Sequence, residues 1–305
     1  MKVLLAILTI TFALLALAEL GLRVFLGCGN PLIYITDKDI GYLLAPNQRV
    51  RRFGNLIEIN QYSMRTSTIT PLPSDSHWRL LLLGDSVTNG GWWTDQSQTI
   101  SQQIGQLWAE KSDRSLEVLN ASANSWGPRN ELAYLQKYGL FGAKTVILLI
   151  NTDDLFAKPP SSLVVGRDPN YPNAKPPGAI AEILSRYPLP SRTLPQEQPT
   201  EKDVVAANLE AIGEIQKIVE TANAKFILAM TPLLREVGEP GSRDYEIKTR
   251  QRLTEFTQKQ QILYIDFLPV FQSNSNPDAL YRDHIHLNPE GNLEVSKTLT
   301  EAINN

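Results

Sequence analysis

The sequence predicts an α/β protein in which a five-stranded parallel sheet lies between two layers of helices. Five short apolar runs, each followed by a polar or turn residue, are typical of buried parallel strands. The segments between these runs place apolar residues at helical spacing, which indicates crossover helices. The predicted strands cover residues 80–83, 116–119, 145–150, 225–230 and 262–265, and the predicted helices cover residues 100–108, 130–138, 205–219, 243–259 and 289–303.

A hydrophobic segment stands at the amino terminus. Lys2 is followed by an uncharged apolar run over residues 3–18. This run is slightly short for a spanning helix, and it is long enough for the core of a signal peptide. Ala16-Leu17-Ala18 fits the small-residue pattern of a cleavage site. We therefore expect residues 1–27 to be a signal anchor with its amino terminus inside, or a signal peptide. Either one would make the remaining chain extracytoplasmic.

The next segment, residues 28–76, reads as a β-rich preface and linker. Residues 41–47 resemble a strand bounded by turns, and residues 56–60 alternate between apolar and polar side chains as a half-exposed strand does. Residues 70–76 are rich in Ser, Pro and Asp, which is typical of a boundary. We expect the main domain to cover residues 77–305.

One part of the main domain lacks any periodic pattern. Residues 159–200 contain ten of the twenty prolines and follow the carboxyl end of the third predicted strand. A structureless loop of this length is unusual inside a domain. It is either an insertion that borders a site at this sheet edge or a mobile surface loop.

Composition excludes several classes of function. A net charge of −3 over 305 residues and the absence of a basic block argue against a nucleic-acid partner. Cys28 is the only cysteine, so an intrachain disulfide is impossible. The sequence contains no phosphate-binding loop and no dinucleotide fingerprint, and we expect no cofactor.

Ser86 follows the first strand at the sheet edge where α/β proteins place their sites. A serine there is often only a helix cap, and a nucleophilic serine needs a base. Asp283 precedes His286 by three residues, so it can accept from Nδ1 and leave Nε2 to take the serine proton. The Ser86 N–H and the N–H of Gly127, which has no side chain in the way, could stabilise an oxyanion.

These residues lie in recognisable blocks. GDSVTNG at residues 84–90 matches the pattern GDSxTxG, DHIH at residues 283–286 matches DxxH, and residues 120–127 loosely fit a third block. The chain is similar to the SGNH/GDSL hydrolase superfamily, and residues 41–65 resemble the preface of its membrane-anchored bacterial members. The resemblance implies a flavodoxin-like fold and a serine esterase acting on short-chain acyl or O-acetyl esters, including acetylated carbohydrates. It also implies that Ser86 is the nucleophile, His286 the base, Asp283 its orienting group and Gly127 an oxyanion donor.

One further block departs from the family pattern. The superfamily usually carries GxND after the third strand, and its asparagine amide stabilises the oxyanion. This chain has NTDD at residues 151–154, so Asp153 takes the place of that asparagine. An ionised carboxylate would repel the oxyanion, whereas a protonated one, with its pKa raised by burial or a nearby acid, could donate. Otherwise Asn124 or Asn151 substitutes, or the activity is weak or altered.

Three other readings stay open. His284 and His286 form an H-x-H pair that, with Asp153 and Asp154, could bind a metal ion. The change at position 153 is also compatible with a non-catalytic envelope binding module. Finally, an acyl-enzyme could be resolved by a sugar hydroxyl, giving an O-acetyltransferase that acts on a cell-surface polysaccharide. The tryptophans near the expected site either form a binding platform or pack in the core, and they are Trp92, Trp93 and Trp126.

Overall fold

The computed structural model describes residues 1–74, 77–186 and 203–304. Its centre is a parallel sheet of five strands in the spatial order 2-1-3-4-5, counted along the chain, which is the flavodoxin-like order. The predicted fold class is therefore confirmed. The sheet strands are β5 (His77–Gly84), β6 (Ser115–Ser122), β7 (Thr145–Asn151), β8 (Lys225–Thr231) and β9 (Leu263–Asp266).

Helices cover both faces of this sheet. They begin and end within a few residues of the predicted positions, and several short helices were not predicted. The helices are α1 (Lys2–Leu26), α2 (Ser86–Asn89), α3 (Ile100–Lys111), α4 (Pro128–Tyr138), α5 (Ala179–Arg186), α6 (Val204–Thr221), α7 (Leu234–Val237), α8 (Asp244–Gln260), α9 (Phe267–Gln272) and α10 (Pro289–Asn304).

The uniform apolar character of the central strands follows from burial on both faces. Along β5, Leu81 and Leu83 enter a core cluster shared with α4 and α6. Leu80 and Leu82 point the other way, into a cluster shared with α3, α9 and α10. Alternate residues of one strand thus fill two separate cores.

The preface consists of two β-hairpins. β1 (Tyr34–Asp37) pairs antiparallel with β2 (Gly41–Leu44), and β3 (Gln48–Arg52) pairs antiparallel with β4 (Asn55–Ile59). Their apolar side chains belong to the same core cluster as α4 and α6. The preface is therefore packed onto the α/β domain rather than being a spacer in front of it.

Arg65, just after these hairpins, is fully buried and ties them to the sheet edge. Its guanidinium donates to the carbonyl oxygens of Asn89 and Gly91, each at 2.5 Å, and to that of Thr94 at 2.5 Å. Burial lowers the pKa of Arg65 to about 9. These bonds fix the loop that follows α2.

The amino-terminal segment forms the expected apolar helix. α1 is 25 residues long and ends at Gly27, which has φ 68°. Within the described part of the chain, it is the one helix that is long and apolar enough to cross a membrane, a test that a signal sequence near the amino terminus also passes. None of its residues is buried in the protein.

The proline-rich segment contains a helix that the sequence pattern did not predict. α5 has only eight residues, too few to show a helical period in the sequence. Its first amide groups donate to a side chain of α1, so a distant contact stabilises it. Residues 187–200 of the predicted insertion lie outside the described residues.

Candidate active site

Ser86 lies where β5 turns sharply into the short helix α2. A Cβ at Gly84 would be 2.5 Å from the carbonyl oxygen of Leu149, so only glycine fits this turn. Asp85 caps α2, since its Oδ1 accepts from the Val87 N–H at 2.8 Å. The Ser86 N–H is in the first turn of the helix, where no helical acceptor exists.

The turn over residues 283–286 brings an imidazole ring to that serine. His286 Nε2 is 2.9 Å from Ser86 Oγ, and His286 Nδ1 is 2.9 Å from Asp283 Oδ2. A carboxylate only accepts, so Nδ1 carries the hydrogen and Nε2 can accept the serine proton. The structure thus brings these three sequence-predicted residues together in hydrogen-bonding order.

Asp283 is held in its ionised form. Partial burial raises its pKa, but this effect is outweighed by the backbone N–H of His286, the His286 ring and the N–H of Ile285. The net pKa is about 2. A carboxylate ionised over the whole physiological range can orient the imidazole and stabilise its protonated form.

A buried polar network lies beneath the serine. The Asn151 amide Nδ2 donates to Asp85 Oδ2 at 2.8 Å and to Asp154 Oδ2 at 3.0 Å. Burial raises the pKa of Asp154 well above its usual range, and the nearby Asp85 and Glu131 raise it further. Because its amide is used inside this network, Asn151 does not supply an oxyanion donor.

A cavity of about 330 Å³ opens above Ser86 and His286. Trp92 and Trp93 line one side, and the Trp93 ring lies 4.4 Å from the His286 ring, centre to centre. The described part of the insertion also borders the cavity, through residues that include Tyr171. By contrast Trp126 is a core residue, 1% exposed and bonded to the Tyr42 carbonyl.

The structure corrects the expectation for Gly127. Its N–H donates to Asn130 Oδ1 at 3.1 Å, which forms the cap of α4, and Gly127 does not line the cavity. A Cβ at this position would lie 2.3 Å from Ala157 Cβ, so close packing explains the glycine. Pro128, at the first position of the helix, was the sequence signal for this capping role.

Ser125, and not Gly127, borders the cavity near Ser86. It lines the cavity together with Asn124, and its backbone has φ 59°. Tyr171 donates to Ser125 Oγ at 2.8 Å, and Tyr42 donates to the Asn124 carbonyl at 2.6 Å. The insertion and the preface therefore hold this loop. Sequence reasoning missed Ser125 because nothing in a serine signals a left-handed backbone.

Asp153 also differs from the expectation. It is exposed, it does not line the cavity, and its N–H donates to Asn151 Oδ1 at 2.7 Å. Asn124 lines the cavity instead, and its side-chain Oδ1 is buried without a partner among the described residues.

The two histidines of the H-x-H pair do not converge. The His284 side chain is 84% exposed, whereas that of His286 is 18% exposed and uses both ring nitrogens in the contacts above. Within residues 1–74, 77–186 and 203–304, no group of three or more His, Cys, Asp or Glu side chains is placed to bind a metal ion.

Comparisons with known proteins define the class of this chain. Residues 82–293 match the model of the GDSL-like lipase/acylhydrolase family. The chain belongs to this family, and the protein is therefore an ester-hydrolysing enzyme. No curated protein matches it.

The chain is also similar to several solved structures. LAE5, described as an alpha/beta hydrolase enzyme from the metagenome of Lake Arreo, Spain, is 16% identical with a TM-score of 0.50; the match covers 77% of this chain and 97% of LAE5. The acetyl xylan esterase AlAXEase is 15% identical, with coverages of 74% and 99% and a TM-score of 0.49. The acetylxylan esterase Axe2 from Geobacillus stearothermophilus is 14% identical, with coverages of 77% and 96% and a TM-score of 0.49.

Proposed function

We propose that the protein is a serine esterase in which Ser86, His286 and Asp283 form a catalytic triad. The observation that carries this proposal is the continuous chain of contacts, 2.9 Å from Ser86 Oγ to His286 Nε2 and 2.9 Å from His286 Nδ1 to Asp283. A binding module without catalysis would have no physical need for this arrangement. The family membership of the chain supports the same conclusion.

In the first half of the reaction, Ser86 Oγ attacks the ester carbonyl while His286 Nε2 takes the hydroxyl proton. The protonated ring then gives that proton to the leaving alcohol oxygen, and the bond between this oxygen and the carbonyl carbon breaks. The Asp283 carboxylate stabilises the charged imidazole throughout. In the second half, His286 takes a proton from water, which attacks the acyl-enzyme, and Ser86 regains its proton as the acid leaves.

We assign the oxyanion to three donors. Two are the backbone N–H groups of Ser86 and Ser125, and the third is the side-chain amide of Asn124. Ser125 and Asn124 line the cavity beside Ser86. Asn124 thereby takes over the role of the family asparagine that Asp153 replaces. Such preorganised donors are usually the largest single contribution to this kind of catalysis.

The substrate we propose is a short-chain or O-acetyl ester, including one on a carbohydrate. A cavity of about 330 Å³ accommodates a small acyl group with part of the alcohol. The side chains of Trp92 and Trp93, which are half-buried at its rim, offer flat apolar faces of the kind that pack against sugar rings.

We further propose that α1 anchors the enzyme in a membrane and that the domain is extracytoplasmic. The large apolar side chains of residues 3–17 are all exposed, so no contact within the described part of the chain explains their apolar character. Lys2 at the amino end favours an orientation with that end inside.

The test is turnover of p-nitrophenyl acetate by the full-length protein and by single variants. Ser86→Ala and His286→Ala should each lower kcat by about 10⁴-fold or more. His284→Ala is the matched control, because this exposed histidine lies two residues away, and it should keep full activity. Labelling by a fluorophosphonate should disappear in Ser86→Ala, and a chelator should leave turnover unchanged. Undiminished turnover in Ser86→Ala would show that the triad is wrong.

A further inference from the structure

α1 is hydrogen-bonded to the insertion. The Glu19 carboxylate accepts from the N–H groups of Ala179 and Ile180 at 2.8 and 2.9 Å, and so caps the first turn of α5. Gly178 allows this approach, since a Cβ there would lie 2.8 Å from Glu19 Oε1. Two bonds to one carboxylate fix the level along α1 at which the insertion attaches.

A second attachment joins the end of α1 to the β3–β4 hairpin. The Phe53 N–H donates to the Leu26 carbonyl at 3.0 Å, and Arg52 donates to the Gly27 carbonyl at 2.6 Å. The Phe53 ring then packs against Trp92 at the cavity rim, 4.9 Å between centres. Attachments about 10 Å apart along one helix set its direction relative to the domain, so α1 is not a free tether.

The length of α1 and its two attachments therefore indicate where a bilayer would lie relative to the domain. The apolar run over residues 3–18 spans about 24 Å, at about 1.5 Å per residue. The hydrocarbon core is about 30 Å thick, so its outer boundary falls within about one turn beyond Glu19. The insertion residues bonded to Glu19 therefore lie within about one helical turn of that boundary. The loop over residues 173–177, just before them, is exposed except at the half-buried Pro176, and it carries Lys175.

We propose that this loop, residues 173–177, rests on the outer headgroup layer of the bilayer that holds α1, with Lys175 facing anionic lipid. The partner is the lipid surface itself. Pro172 and Tyr171 line the cavity immediately before the loop, so the cavity opens beside the membrane. An ester carried by a molecule at the membrane surface can thus reach Ser86. The inference rests on the proposed anchor and not on the proposed hydrolysis.

The test uses the full-length protein in nanodiscs of phosphatidylcholine and phosphatidylglycerol that contain a nickel-chelating lipid. A nitroxide at Ala174→Cys should show strong collisional relaxation by the headgroup nickel. The matched control is a nitroxide at Asp113→Cys, which is exposed and lies before β6 at the opposite sheet edge. Cys28 is buried, so the unsubstituted protein serves as the labelling blank.

We expect relaxation at position 174 to exceed that at position 113 several-fold. Equal relaxation, or a larger value at position 113, would overturn the proposal. Adding Glu19→Ala should lower the nickel-induced relaxation at position 174, and unchanged relaxation would refute the attachment through Glu19. The relaxation measurement is repeated in Ser86→Ala, which removes the proposed nucleophile and should leave relaxation unchanged. Relaxation reports the membrane contact and turnover reports hydrolysis, so the failure of one proposal is distinguished from the failure of the other.

Discussion

The role of Asn124 can be tested by removing its amide while the loop around it is kept. In Asn124→Ala, the backbone carbonyl still accepts from Tyr42, because that bond does not involve the side chain. The deleted Oδ1 is buried without a partner among the described residues, so its loss should not lower stability. The variant therefore removes one proposed oxyanion donor and little else.

The expected size of the effect follows from the number of donors. With three donors proposed and one removed, kcat should fall by about 10²- to 10³-fold, or about 2.7–4 kcal/mol of transition-state stabilisation. KM should change little, since the oxyanion forms only in the transition state. The assay is steady-state hydrolysis of p-nitrophenyl acetate, with thermal unfolding as the check that the variant is folded.

Asp153→Asn is the matched comparison, because it restores the residue that the family usually has. Asp153 is exposed and away from the cavity lining, so this change should leave kcat almost unaltered. A large rise of kcat in Asp153→Asn, together with an unchanged kcat in Asn124→Ala, would refute the assignment. That outcome would return the oxyanion donor to position 153.

Two further predictions concern stability. The pKa of Asp283 is about 2 in the folded protein, against 3.8 for an unperturbed aspartate. Its contribution to the free energy of unfolding is therefore present above about pH 4 and is lost as pH falls toward 2. In urea unfolding, the free energy of unfolding of the wild type should fall by about 1–2 kcal/mol more than that of Asp283→Asn over this pH interval, after allowance for partial exposure. Parallel plots of unfolding free energy against pH for the two proteins would contradict this. Gly127→Ala should destabilise by about 1–3 kcal/mol through the contact with Ala157, and Ala157→Gly should restore part of that loss. Unchanged thermal unfolding of Gly127→Ala would show that the contact is not tight.

The fold was predictable because its signals are local. The central apolar runs, such as residues 145–150, are buried on both faces, and each of the five runs ends at a polar or turn residue near the same sheet edge. What the pattern did not predict depends on distant contacts. α5 is too short to show a period, and Glu19, about 160 residues earlier in the chain, caps it.

The sequence by itself determined the parallel sheet and the positions of Ser86, Asp283 and His286. A serine after a strand and an aspartate three residues before a histidine are short-range patterns, and the topology brings their sheet-edge positions together. Only the tertiary structure decided the remaining parts of the site. The left-handed backbone of Ser125 and the exposure of Asp153 depend on which side chains and loops pack around them. No residue type or spacing encodes those neighbours, because they come from the preface and the insertion, far away in the chain.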